Sequence, residues 1–225
     1  MPPFAPNEPK EDLRIVRLIK ADHSAVVKFM QKDFRRFEPL MGSQDMNEAE
    51  SEQFFQKVTD YTLEYPISFA MKKEDGEVVG ICLNTYLTRP KPGEEEESCV
   101  LDNAKANNLV EIVDELRANI WDNVPASVQK VVDVSILSVD SAYARRGIAS
   151  ALINELDERK LKADGVDGLV SELTNTKSQQ LLMDKYGYKS IFEIEYGQWE
   201  GSEGKQIFDC SKFNTNSVVL AFKLL

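Results

Sequence analysis

The sequence predicts a single domain of the α/β (α+β) class, and three observations carry that expectation. The chain has 225 residues, 42% of them hydrophobic and 29% charged, enough for one sizeable buried core. Strand-like and helix-like periods follow one another in a mixed order, with no internal repeat. The stretch from Val131 to Leu173 reads strand, helix, strand, so at least those two strands should be parallel.

Each element can be justified in turn. The first ten residues hold four prolines, and residues 1–12 are expected to be a flexible tail ahead of a domain over 13–225. A strand starts at Leu13. Asp22 is a candidate N-cap for an amphipathic helix to about Phe34, with Ala25, Val26, Phe29 and Met30 at helical spacing. The run from Glu38 to Ser43 breaks that helix. A second helix covers residues 47–61, with Phe54, Phe55 and Val58 on one side. Strands at 67–71 and 78–87 flank Glu74-Asp75-Gly76-Glu77, a hairpin turn. Arg89 to Gly93 and the acidic run Glu94 to Glu97 read as solvated loop. Leu109, Ile112, Val113, Leu116 and Ile120 mark a further helix.

Residues 131–139 form the most convincing strand, apolar on both faces except at Asp133, which places it inside the sheet. After a turn at 140–143, a helix is expected as far as Asp164, then a strand over 168–173. A helix over 178–186 closes at Gly187, and strands at 191–196 and 217–223 complete the order.

Composition excludes several functions. Net charge is −11, which argues against a general nucleic-acid binder and suits a cationic small molecule. No apolar run approaches the length of a membrane span, and the N-terminus lacks a secretory pattern. Cys82, Cys99 and Cys210 are odd in number and widely spaced, so no disulfide framework or metal site is expected and a reducing, cytoplasmic setting fits. His23 is the only histidine, which turns attention to carboxylates, hydroxyls and backbone amides as the chemical groups.

One segment carries the chemistry. A buried strand runs into a basic, glycine-containing turn and then a helix start. Unpaired N–H groups and the helix dipole favour a phosphate there. Gly147 permits close backbone approach, Ala149 and Ser150 are small, and Arg145 and Arg146 add positive charge. Neither a P-loop nor a GxGxxG dinucleotide fingerprint is present. An ordinary βα turn with a basic helix start is the competing reading.

The stretch from Ile136 to Ala149 resembles motif A of the GNAT acetyltransferase superfamily, a central strand followed by (Arg/Gln)-x-x-Gly-x-(Gly/Ala) and a helix. Gly147 and Ala149 match the last two fixed positions, whereas Ala144 stands where Arg or Gln is usual. Phe37-Glu38-Pro39-Leu40, the strand ending Leu83-Asn84 with Arg89-Pro90 beyond, and Lys185-Tyr186-Gly187-Tyr188 resemble the insect-type arylalkylamine N-acetyltransferases, in order over about residues 13–225.

That resemblance implies a mixed, mostly antiparallel sheet with one parallel βαβ unit, flanked by helices. It implies acetyl-CoA as cosubstrate, paired along Leu137, Ser138 and Val139, with its pyrophosphate on the amides of Arg145, Arg146, Gly147, Ile148, Ala149 and Ser150. A backbone N–H near Leu137 would bind the developing oxyanion, and a bulge would open the strand edge for such pairing. Glu38 takes the place of the family's general base. The acceptor is then a small amine of the tyramine, octopamine, dopamine or serotonin kind. Polyamines, amino acids, protein N-termini and a non-catalytic CoA-binding role are the alternatives. The tyrosine that many relatives use as general acid falls on Met183 and is absent; the serine positions of the insect-type enzymes fall on Asn175 and Gln179, with Thr174, Thr176 and Ser178 close by, so the acid role is not carried over. Phe37, Leu40, Met41 and Tyr86 form either an apolar acceptor wall or part of the core. The oligomeric state is not readable.

Overall fold

The computed structural model describes residues 12–91, 93, 99–202 and 204–225. The expected tail and the acidic run Glu94 to Glu97 lie outside the described residues, apart from Asp12 at the tail's end. A seven-stranded sheet, ordered β1-β2-β3-β4-β5-β7-β6, divides the domain into two helical layers. Its strands are β1 (Leu13–Arg17), β2 (Phe69–Lys73), β3 (Val78–Thr88), β4 (Lys130–Val139), β5 (Gly168–Leu173), β6 (Lys189–Glu195) and β7 (Ser217–Leu224). All neighbours are antiparallel except β4 and β5, the predicted parallel pair.

The first layer holds α1 (His23–Phe29), α2 (Arg35–Phe37), α3 (Pro39–Ser43), α4 (Glu48–Thr62), α5 (Ala104–Ala118) and α6 (Ile120–Asn123). A π-helical turn, Met30–Phe34, joins α1 to α2 without a break. Val26, Phe29, Phe55, Leu109 and Ile112 pack there against Val131 and Ile136 of β4. The second layer holds α7 (Ile148–Ile153), α8 (Glu158–Ala163) and α9 (Thr176–Gln179), the last continued by a second π-helical turn, Gln180–Lys185. Ile148, Leu152, Leu161 and Leu182 meet Val132 and Val134 on the other face. Both faces of β4 are thus covered, which explains its apolar run.

Local chemistry alters three of the expected elements. Asp22 does not cap α1; its carboxylate accepts from the Ile19 amide at 3.0 Å and from Lys72 at 2.6 Å, closing the turn before the helix. The helix expected to reach Asp164 stops at Ile153, and Asp157 restarts it by accepting from the amides of Arg159 and Lys160. The segment 38–43 does end the preceding helix, yet it forms the short α3 itself, with Glu38 as N-cap and Pro39 at the first helical position. By contrast, Asn47 and Glu50 form a capping box at the start of α4, close to the predicted start.

Candidate active site

The central strand departs from regular pairing in two ways. Leu83 of β3 faces Ile136 whereas Asn84 faces Val134, so Ser135 is an extra residue and β4 bulges there. Pairing with β5 ends at almost the same level. It runs from Val131–Gly168 to Asp133–Val170 and no further, although β4 stays bonded to β3 as far as Val139. Among the described residues, the edge of β4 from Val134 to Val139 that faces away from β3 has no strand partner. The two strands form a fork, and half-buried Leu137, Ser138 and Val139 line its upper arm.

Beyond that arm the chain turns through Ser141–Tyr143 into α7. Arg145 and Gly147 both take left-handed backbone, at φ 64° and 82°. For arginine this conformation costs about 1–2 kcal/mol. Left-handed residues within a turn can aim successive N–H groups into one concavity suited to an anion. Arg145 and Arg146 are exposed, and Arg146 stacks over the Tyr143 ring at 4.7 Å. Ile148 is buried and holds the start of α7 to the sheet, leaving Ala149 and Ser150 half-exposed. Lys185 is a third cation here: its Nζ donates to Ser150 Oγ at 2.7 Å, and the Tyr186 hydroxyl donates to the Ser150 carbonyl at 3.0 Å. Sequence reasoning singled out the Lys185-Tyr186 stretch without seeing that it meets this loop.

Glu38 lies across the mouth of the fork. The α1–α3 segment reaches both strand ends, because Asp33 Oδ2 accepts from the Ser141 amide just after β4, while Glu38 neighbours Thr174 just after β5. Lys32, one residue earlier, is paired with Asp140 at 2.7 Å. Glu38 is only 6% exposed; one carboxylate oxygen accepts from the Met41 amide at 2.8 Å, and Oε1 accepts no hydrogen bond of good geometry. Burial pushes its pKa above the ordinary carboxylate value, and the Met41 and Leu40 amides and the Thr174 side chain offset part of that rise. Tyr196 and Cys210 complete the surroundings. The Tyr196 hydroxyl donates to the Thr174 carbonyl at 2.8 Å, and burial beside Glu38 keeps the phenol protonated. The Cys210 thiol, 3.5 Å from the Pro39 carbonyl, is pushed up to about 12 by burial and is inert as a nucleophile.

The four residues considered for an acceptor wall do not come together. Leu40 and Met41 are core residues of the first layer, Tyr86 packs into the second, and Phe37 is 55% exposed beside Glu38. The open space next to Tyr196 and Cys210 is instead a polar groove of about 660 Å³, bordered by Glu193, Glu195 and Asp209. His23 faces Asp60 at 3.2 Å, linking α1 to α4.

Comparison with known proteins identifies this fold. A family model described as the acetyltransferase (GNAT) family matches residues 27–188, and the chain belongs to that family of N-acetyltransferases. Solved structures similar to it include arylalkylamine N-acetyltransferase 2 from Aedes aegypti, at 20% identity and a TM-score of 0.77, covering 95% of this chain and 99% of that one. A mosquito arylalkylamine N-acetyltransferase like 5b gives 15% identity and a TM-score of 0.79, covering 95% of this chain and 100% of that one. The polyamine N-acetyltransferase of Drosophila melanogaster gives 16% and 0.76, again with 95% and 100% coverage. No helix among the described residues is long and apolar enough to cross a membrane.

Proposed function

We propose that this protein transfers an acetyl group from acetyl-CoA to the primary amine of a small arylalkylamine, of the tyramine, octopamine, dopamine or serotonin kind, with Glu38 as the base. The observation that carries this reading is the carboxylate itself. It is buried at the mouth of the fork, and burial raises its proton affinity above that of an ordinary carboxylate. An aliphatic amine near pKa 10 is mostly protonated at pH 7 and must lose a proton before it can attack. A buried carboxylate attracts the ammonium form and takes that proton, directly or through one water.

The residues present suit the acetyl donor. The unpaired edge of Leu137, Ser138 and Val139 offers backbone groups to an amide-bearing arm. The left-handed loop from Arg145 through Gly147 to Ile148, Ala149 and Ser150, with Lys185 beside it, gathers three cations in a chain of net charge −11. A Cβ at Gly147 would meet nothing within 4 Å, so the loop is open to a ligand. Ala144 contributes no charge, and Arg145 stands next to it. When bound, the donor supplies a thioester carbonyl to the neutral amine and leaves as the CoA thiol.

An arylalkylamine is favoured because two of the similar structures are named for that activity and a third, the condensation domain of Ebony, holds β-alanyl-dopamine. The polar groove bordered by Glu193, Glu195 and Asp209 favours a second reading, a polyamine. Thiol release from acetyl-CoA, followed with a panel of arylalkylamines, spermidine and agmatine, separates the two. Faster release with the aromatic amines supports the first reading. Faster release with the polycations alone replaces it, and no acceleration by any amine removes both.

A further inference from the structure

The last paired residue of β4 before the fork is Asp133, and it carries a fully buried carboxylate in the interior of the sheet. Glu172 stands on the same face of β5, two residues past the end of the pairing, with its side chain 5% exposed. Arg117, in the last turn of α5, joins them. Its Nε donates to Glu172 at 2.9 Å and its Nη2 donates to Asp133 at 2.5 Å. The guanidinium therefore spans the two strands where their backbones part. Two hydroxyls finish the junction. Ser135, the bulged residue, donates to the same Asp133 oxygen at 2.8 Å, and Ser171 of β5 donates to the Val134 carbonyl at 2.8 Å.

This arrangement is poorly explained by stability. Two buried carboxylates share one cation and face each other closely enough to share a proton, an arrangement that burial makes costly. Apolar residues of similar size would cost less to bury. What the cluster does supply is geometry, since a planar guanidinium can hold two carboxylates at fixed directions and a lysine ammonium cannot.

We propose that Arg117 is a positioning residue for acetyl transfer: by clamping Asp133 to Glu172 it fixes where β4 and β5 separate, and so where the donor lies along Leu137, Ser138 and Val139. This rests on the reading of the fork as the donor site. The donor's thioester follows the bulge, and the bulge is tied to Asp133 through Ser135, so loosening the clamp moves the reacting carbonyl relative to Glu38. A misplacement on the order of 1 Å costs up to about 10²-fold in rate.

The test uses the full chain carrying Arg117→Lys, which keeps the charge and loses the two-way bridge. Circular dichroism and thermal melting establish that it is folded. Three readouts then follow: hydrogen exchange of the amides of residues 134–139 in the free protein, acetyl-CoA affinity by calorimetry, and kcat with KM for each substrate. The expected result is faster exchange on that edge, weaker acetyl-CoA binding and kcat lower by about tenfold or more, with the amine KM unchanged. If Arg117→Lys does not fold, Glu172→Gln replaces it. That variant keeps an oxygen acceptor and the Arg117–Asp133 contact, and the same changes should appear at about threefold, the loss of part of a hydrogen bond. Unchanged exchange and donor affinity in the folded variant, or a change confined to the amine KM, overturns the proposal. Failure of the wild-type protein to bind acetyl-CoA is a separate outcome, and it removes the donor site and the proposal together.

Discussion

The proposed donor and acceptor sides of the fork are built in opposite ways. The proposed donor side is, apart from Lys185, one continuous piece of chain, residues 137–150, and its groups are mostly backbone. Glu38, on the proposed acceptor side, meets Thr174, Tyr196 and Cys210, which come from distant segments joined by burial. A run of backbone groups tolerates single substitutions, because each supplies a fraction of the binding. An assembled site concentrates its chemistry in one side chain. The donor side should therefore weaken gradually under mutation and the acceptor side abruptly.

The largest expected effect tests the abrupt half. Glu38→Gln keeps an oxygen for the Met41 amide and removes the base, so kcat should fall about 10²- to 10⁴-fold with acetyl-CoA affinity kept. The limb of the pH–rate profile that reports the carboxylate should disappear. A variant within twofold of wild type at all pH values would take the base role from Glu38.

Next in size is the charge of the donor loop. Arg145→Gln with Arg146→Gln should raise the dissociation constant of acetyl-CoA by about tenfold, the worth of one charge-assisted contact in an exposed setting. The loss should shrink in high salt. A kcat effect as large as that of Glu38→Gln would show that the two sides are not functionally distinct. Smaller again in binding is Gly147→Ala. No atom obstructs the new methyl group, so the cost is that of the left-handed backbone, about 1–2 kcal/mol, and it should fall mainly on the fold as a lower melting temperature, with acetyl-CoA binding weaker by no more than a few-fold.

The last effect is on stability instead of turnover, and it concerns pH. Burial and the neighbouring Glu172 push Asp133 from its ordinary 3.8 up to about 7, and burial raises Glu38 as well. Both groups hold a proton in the folded protein over a range where the unfolded chain has lost it. Stability from this source is present below the unfolded values and declines as pH rises through the folded ones, from about pH 4 to pH 7 for Asp133. Urea midpoints at pH 5 and pH 8 should show that decline, and Asp133→Asn should flatten it whatever its effect on overall stability. An unchanged slope would assign the pH dependence elsewhere.

Legibility in the sequence followed the same division. The strand 168–173 and the turn at Gly76 could be read because period and turn chemistry are local. The break between α7 and α8 was missed because one carboxylate, Asp157, restarts a helix inside a continuous helical pattern. Asp22 misled for a similar reason, since its side chain found Ile19 and Lys72 instead of the helix it precedes. Glu38 was found through the resemblance, but its burial was not visible. Nothing in Phe37-Glu38-Pro39 announces that the carboxylate will lie under Tyr196 and Cys210.

Sequence alone determined the mixed order, the parallel pair, the interior strand and the loop beside it, because all depend on neighbours a few residues apart. Only the tertiary structure decided where β4 and β5 part, what holds them there, and which groups surround Glu38. Those features depend on desolvation and on charges drawn from α5, β4 and β5 into contact, and such terms exist only once the chain has closed on itself.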